Sequence, residues 1–203
     1  MKQPGAILPL MEQFSTVQGE GQFVGAPSWF IRLGGCDVGC HWCDVKESWD
    51  ALAHPSVSVE DLADAALDSG RKIVVVTGGE PAMYDLAPLT AALRERGLRT
   101  HIETSGAHPL TGQWDWVTLS PKKFKACLPG AYLVADELKI IVFSRSDLAW
   151  SLTHAEQVGP ECALYLQPEW DKRDEATWWI LSHLAEHPSW RLSMQVHKFL
   201  GLP

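Results

Sequence analysis

Cysteine is scarce and odd in number in this 203-residue chain: Cys36, Cys40, Cys43, Cys127 and Cys162 cannot all pair, so a complete disulfide framework is excluded. Long hydrophobic runs are missing as well. Charged residues interrupt every apolar segment before the roughly 18 residues that a membrane-spanning helix requires, so no membrane partner is expected. Met1 to Phe14 hold one lysine, and Pro4 and Pro9 break their apolar stretch, so no secretory leader is expected and a cytoplasmic protein is. Basic residues are outnumbered 17 to 25, which leaves a formal net charge of −8 and a pI near 5.4. Such a chain repels the phosphates of duplex nucleic acid, so a general nucleic-acid binder is not expected either. Repeats, linkers and blocks of like charge are absent too. The composition, 46% hydrophobic and 21% charged, is an ordinary globular mix, and residues 1–203 read as a single domain.

What is present alternates. Apolar, β-rich runs take turns with stretches of helical period, the pattern of βα units around a mostly parallel sheet. Trp29 to Leu33, Ile73 to Thr77, Thr100 to Glu103, Trp116 to Leu119, Leu138 to Phe143 and Ala163 to Gln167 are predicted strands. Helices are predicted from Ser58, where Ser58 and Asp61 resemble a capping box, to about Ser69, and from Asp85 to about Arg96, with Gly97 as the stop. Two more are predicted from about Ser146 to Gln157 and from Asp174 to His187. Arg191 to Phe199 is predicted as an edge strand or an extended tail. The 21 residues from Cys36 to Ser56 carry no convincing period, and loops of that length inside one domain are usually functional.

That loop opens with Cys36-x3-Cys40-x2-Cys43, directly after Gly34-Gly35, whose freedom lets the backbone fold tightly enough for three thiolates to converge. Converging thiolates bind soft metal. A closed zinc site takes four donors, whereas an iron-sulfur cube has four irons that each need an outer ligand, so three cysteines leave one iron open. An open iron can chelate the amino and carboxylate groups of S-adenosylmethionine and pass an electron into its sulfonium bond. Two alternatives remain beside it: a Cys3His zinc site using His41, and a redox pair of Cys40 and Cys43. His41 lies between two proposed ligands and would have to double back to reach the same ion. Trp42 packs beside the cluster, against an adenine ring, or simply in the core.

With an aromatic before its last cysteine, the loop resembles that of the radical S-adenosylmethionine superfamily, whose usual fold is a partial or full (βα) barrel. The resemblance implies an α/β fold with a mostly parallel sheet and abbreviated helices. It also implies a 4Fe-4S cluster on Cys36, Cys40 and Cys43, with S-adenosylmethionine bound beside it near Trp42 and Asp44. Thr77-Gly78-Gly79-Glu80-Pro81 alone is a tight strand-to-helix turn, but in its position it resembles the superfamily segment that binds the cofactor's methionyl amino group. Glu103-Thr104-Ser105-Gly106 would bring Glu103 and Ser105 beside the same cavity. Ser120-Pro121-Lys122 and Gln167-Pro168 end further strands, so polar groups recur at the carboxyl ends, where barrels place active sites.

A sharper resemblance runs from about Phe14 to the last residue. Gln18-Gly19-Glu20-Gly21, Arg32 and the ending His197-x5-Pro203 resemble the 7-carboxy-7-deazaguanine synthase family of the queuosine and deazapurine pathway. It implies a radical lyase that converts 6-carboxy-5,6,7,8-tetrahydropterin into 7-carboxy-7-deazaguanine with loss of ammonia. The implied substrate residues are Val17, Gln18, Gly19, Glu20, Arg32, Thr77, His197 and Pro203, the last through a terminal carboxylate, with Glu20 also placed in catalysis. The chemistry agrees, since an amide and a carboxylate match the donor-acceptor edge of a pterin and a guanidinium matches its 6-carboxylate.

Family members commonly read Cys-Asp-Thr at the end of the loop, the threonine ligating Mg2+, whereas this chain reads Cys43-Asp44-Val45. Valine cannot coordinate the ion. Either Asp44, substrate oxygens and waters hold it, or the site is weakened or absent. The resemblance further implies a flavodoxin- or ferredoxin-type electron donor and a homodimer. A radical activase acting on a protein partner, or a zinc-stabilised interaction module, would share the thiols but have no use for Gln18 and Glu20. Cys127 and Cys162 have no assigned role.

Overall fold

The computed structural model describes residues 6–203. Part of the expectation about a leader rests on residues 1–5, which lie outside them. β1 (Ile7–Val17) turns back as the antiparallel β2 (Pro27–Leu33), and the Phe14 and Phe30 rings stack across the pair at 5.5 Å. β3 (Ser56–Ser58) joins the other side of β1, and α1 (Val59–Asp68) leads to β4 (Ile73–Gly78), parallel to β2. Then come α2 (Ala87–Glu95), β5 (Arg99–Thr104) and β6 (Trp116–Leu119). After them follow α3 (Pro129–Leu133), β7 (Glu137–Val142), α4 (Ser146–Ala155) and β8 (Ala163–Pro168). The chain ends with α5 (Arg173–Glu186), β9 (Trp190–Leu192) and α6 (Val196–Leu200).

The strands form one sheet in the order β3-β1-β2-β4-β5-β6-β7-β8-β9, and every pairing from β2 to β9 is parallel. This is the mostly parallel α/β sheet expected of a partial barrel, and its helices are abbreviated: β5 passes to β6 without one. Val74, Val75 and Val76 are all fully buried, as a strand covered on both faces must be. One core packs Ile31, Leu33 and Val76 against Leu62 of α1 and Leu89 and Leu93 of α2; a second packs Leu138, Ile140 and Leu166 against Ile180 of α5. Each such side chain contributes roughly 1.5–3 kcal/mol by leaving water. Ser58 caps α1 by accepting the Asp61 N–H, and Gly97, at φ +71°, stops α2 as expected. Among the described residues no helix is long and apolar enough to cross a membrane.

Two segments differ from expectation. β1 was not foreseen, because only Leu8 and Leu10 along it are buried and Pro9 interrupts the alternation. The predicted edge strand or tail over Arg191 to Phe199 is corrected. Pairing stops at Leu192, and the Val196 N–H then bonds the Gly19 carbonyl, at 3.0 Å, so the chain winds into α6 and ends it at Gly201, φ +64°.

Candidate active site

β2 and β4 run in register, Leu33 beside Gly78, and the segments that follow them are laced together. The Gly79 N–H donates to the Leu33 carbonyl at 3.0 Å and the Glu80 N–H to the Gly35 carbonyl at 2.8 Å. The far end of the cysteine loop closes on the same place, with Gly35 N–H on the Ser48 carbonyl at 2.6 Å and Cys36 N–H on that of Trp49 at 3.1 Å. Between these anchors Cys36, Cys40 and Cys43, all free thiols, line one cavity at the carboxyl ends of the strands. Backbone N–H groups of Val38 and Gly39 point at the Cys36 sulfur, and that of Val45 at Cys43 Sγ, 3.4 Å away. Burial pushes the Cys40 thiol up to about 11 against the pull of Lys122, so near neutral pH it is protonated and a metal that binds there displaces its proton.

Among the described residues no three Cys, His, Asp or Glu side chains converge tightly enough for a single metal ion. His41 is exposed and edge-on to Phe124 and Phe143, at 5.3 and 5.1 Å, and is not among the residues that line the cavity with the thiols. Thiols spread around a cavity, with N–H groups aimed at sulfur, fit a cluster that takes one thiolate at each of three corners.

The floor comes from the other side. The β1–β2 turn carries Gln18-Gly19-Glu20 and rests on the amino ends of the strands, where the Gln22 N–H bonds Glu137 at 2.9 Å and the Tyr165 hydroxyl donates to Gln22 Oε1 at 2.8 Å. From there Val17, Gln18, Gly19 and Glu20 face the cavity. The Gln18 amide donates to Glu103 at 3.0 Å, and the buried Lys139 ammonium is ion-paired to Glu20 and lies 3.3 Å from Glu103. Burial alone would raise the Glu20 carboxyl, but Lys139 reverses this and holds it at about 2.

This constellation sits in a chain whose residues 30–120 match the Radical SAM superfamily. The chain is 48% identical to the 7-carboxy-7-deazaguanine synthase of Flavobacterium psychrophilum, covering 98% of this chain and 94% of that one. Against the Escherichia coli enzyme of the same name it is 36% identical, covering 96% and 98%. The crystal structure of QueE from Escherichia coli superposes with a TM-score of 0.84 at 36% identity, covering 94% of this chain and 95% of that one. The chain belongs to the 7-carboxy-7-deazaguanine synthase family. It is a radical SAM enzyme, a class that works with a 4Fe-4S cluster and S-adenosylmethionine.

Within this 7-carboxy-7-deazaguanine synthase fold, the cavity takes in Arg32, Trp42, Asp44, Gly78, Gly79, Glu80, Glu103, Ser105, Ser120, Lys122, Gln167, Pro168, His197 and Pro203. Thr77 and Pro121 are the two expected residues it leaves out: Thr77 stays within the body of β4, below the rim formed by Gly78, and Pro121 is buried between Ser120 and Lys122. Glu80 is 1% exposed, and its carboxylate is engaged inside the chain. It accepts the Ala82 N–H at 3.0 Å, the Thr104 hydroxyl at 2.6 Å and the Ser105 N–H at 2.7 Å, and so fixes the end of β5. Lys122 donates to the Ser120 carbonyl and hydroxyl at 2.5 Å and lies over the Trp42 ring at 5.9 Å. Arg32 is held through Nε by Glu12 at 2.7 Å. Gln167 accepts the Ser193 hydroxyl at 2.7 Å.

Asp44 is half exposed and ion-paired to Lys198, while the aliphatic Val45 lines the wall beside it. These residues do not fit a Mg2+ ion held by the protein, which needs several oxygen ligands in near-octahedral array. Lys139, Gln195, Trp49 and Trp170 also line the cavity and were not foreseen. Of these, Lys139 carried a signal: a lysine set between Leu138 and Ile140 in the run Leu138 to Phe143.

Proposed function

We propose that this chain is a radical lyase that converts 6-carboxy-5,6,7,8-tetrahydropterin into 7-carboxy-7-deazaguanine and ammonia, supplying queuosine and deazapurine synthesis. The observation that carries it is the meeting of three free thiols with the Gln18 and Glu20 pair in one cavity. Cys36, Cys40 and Cys43 would hold the 4Fe-4S cluster, which, bound with S-adenosylmethionine, supplies a carbon radical able to take a hydrogen atom from the substrate.

The chain's own part is to bind, orient and exclude water, since a stray radical would otherwise be quenched. Gln18 and the ionised Glu20 meet the polar edge of the pterin, and Arg32 meets its 6-carboxylate. His197 and Pro203 close the substrate side. Trp42, Gly78, Gly79, Glu103, Ser105, Ser120, Lys122, Gln167 and Pro168 form the side that takes S-adenosylmethionine. In this reading a flavodoxin- or ferredoxin-type carrier delivers the electron, and the chain, a single domain, works as a cytoplasmic homodimer.

The test is anaerobic. Protein loaded with iron and sulfide, given dithionite, S-adenosylmethionine and the carboxypterin, should yield the deazaguanine acid, and Cys40→Ala should lose both iron and turnover. Iron-loaded protein that cleaves no cofactor and makes no product would refute the proposal.

A further inference from the structure

Lys139 is 3% exposed and stands at the centre of a closed polar ring. Its ammonium is ion-paired to Glu20 and lies 3.3 Å from Glu103 Oε2; Glu103 Oε1 accepts the Gln18 amide at 3.0 Å; and Gln18 Oε1 accepts the Glu20 backbone N–H at 3.1 Å. Gln195 donates to the other Glu20 oxygen at 3.0 Å, tying in the segment ahead of α6. The other charged or titratable groups that face the ring are Glu137 toward Lys139, Lys122 toward both Lys139 and Glu20, and His197, its pKa lowered by burial, toward Glu20 and Glu103.

We propose that Lys139 is a positioning residue that keeps Glu20 ionised and in place, so that the site accepts the paired N–H donors of a 2-amino-4-oxopyrimidine ring. This rests on the pterin-binding reading above and deepens it. An ionised carboxylate is acceptor-only, whereas a protonated one sets an O–H donor against the ligand's own donors, and an unmatched pair of donors in a buried site costs about 1–3 kcal/mol. Lys139 and Gln195 use two of the roughly four lone-pair directions of Glu20, which leaves two for a ligand. Without the ammonium that bridges them, Glu20 and Glu103 become two uncompensated like charges on either side of one vacated position, and such pairs tend to retain a proton.

The test measures binding and not turnover. Equilibrium dialysis of 6-carboxypterin against cluster-loaded protein, without reductant, is run from about pH 5.5 to 7.5. Glu137, whose carboxyl titrates at about 7, and His197 change charge with pH in every form of the protein, so each profile is taken as a ratio to the wild type at the same pH. Lys139→Arg should bind more weakly by the same factor throughout, whereas Lys139→Met should lose about tenfold or more relative to the wild type on going from pH 7.5 to 5.5, because its Glu20 takes up a proton in that range. Should Lys139→Met fail to fold by circular dichroism, Lys139→Gln, which keeps a donor but no charge, takes its place. A loss equal at every pH, or no loss, overturns the proposal and leaves Lys139 a structural residue. Failure of the wild type to bind at any pH defeats the pterin reading itself.

Discussion

Gly79 lies so close beneath the cysteine loop that a Cβ on it would stand 2.2 Å from the carbonyl oxygen of Gly35 and 2.8 Å from the Cβ of Cys36. The near neighbour is backbone, which cannot rotate aside. Gly79→Ala should therefore lift the loop and spread the thiols while the valine-rich core of β4 stays packed. The expected result is loss of most bound iron after anaerobic reconstitution with little change in far-ultraviolet circular dichroism. Full iron content would show that the loop does not depend on this contact.

A similar closeness governs the other end of the cavity. A Cβ on Gly19 would lie 2.1 Å from His197 Nδ1 and 2.9 Å from its Cβ, so the His197 ring must swing away and its Cβ, at the start of α6, must give as well. Gly19→Ala should weaken carboxypterin binding about tenfold, the effect of roughly 1.4 kcal/mol, and leave S-adenosylmethionine binding unchanged. Since none of α6 is buried, the melting temperature should stay within about 2 °C, in line with the small effect of surface changes. Calorimetric titration with each ligand separates the two effects.

Glu137, 2% exposed beneath the turn that carries Glu20, has its carboxyl pushed up from 4.5 to about 7 by burial, against the pull of Lys139. Its folded value exceeds its unfolded one. The stability it contributes is complete below about pH 4.5 and is lost as pH rises through 7. Between pH 5 and 8 that loss is on the order of 2 kcal/mol, or a fall of about 4–8 °C in melting temperature. Glu137→Gln keeps an acceptor for the Gln22 N–H and should flatten this slope. Glu20 acts in another window: its depressed value contributes stability above pH 4.5 that is lost toward about 2.

The parallel sheet was legible because its strands are buried on both faces and so read as unbroken apolar runs, Ile73 to Val76 being the plainest. β1 was not, since most of it is only partly covered and its pairing with β2 is long-range information that no local period carries. The site was legible where chemistry sits in short motifs, as in Cys36-x3-Cys40-x2-Cys43 and Gln18-Gly19-Glu20. It was hidden where one side chain answers another across the fold. Nothing near Glu80 announces that its carboxylate belongs to Thr104 and Ser105, and nothing near Asp44 announces Lys198.

That last pair decides what a divalent cation can do here. Asp44 is the one oxygen donor the loop's end offers, Val45 adds none, and the Lys198 ammonium already occupies the carboxylate. A cation arriving at Asp44 must displace a like charge and then find its remaining ligands in water and substrate. Mg2+ dehydrates reluctantly and holds such sites weakly. Turnover of the wild type should therefore change less than about twofold between excess EDTA and millimolar Mg2+, a difference under roughly 0.4 kcal/mol. Val45→Thr adds an oxygen donor, and Lys198→Ala frees the carboxylate. Together they should create a saturable Mg2+ response that neither wild type nor Lys198→Ala shows. Strict dependence of the wild type on Mg2+ would mean that the Lys198 ion pair opens whenever substrate binds.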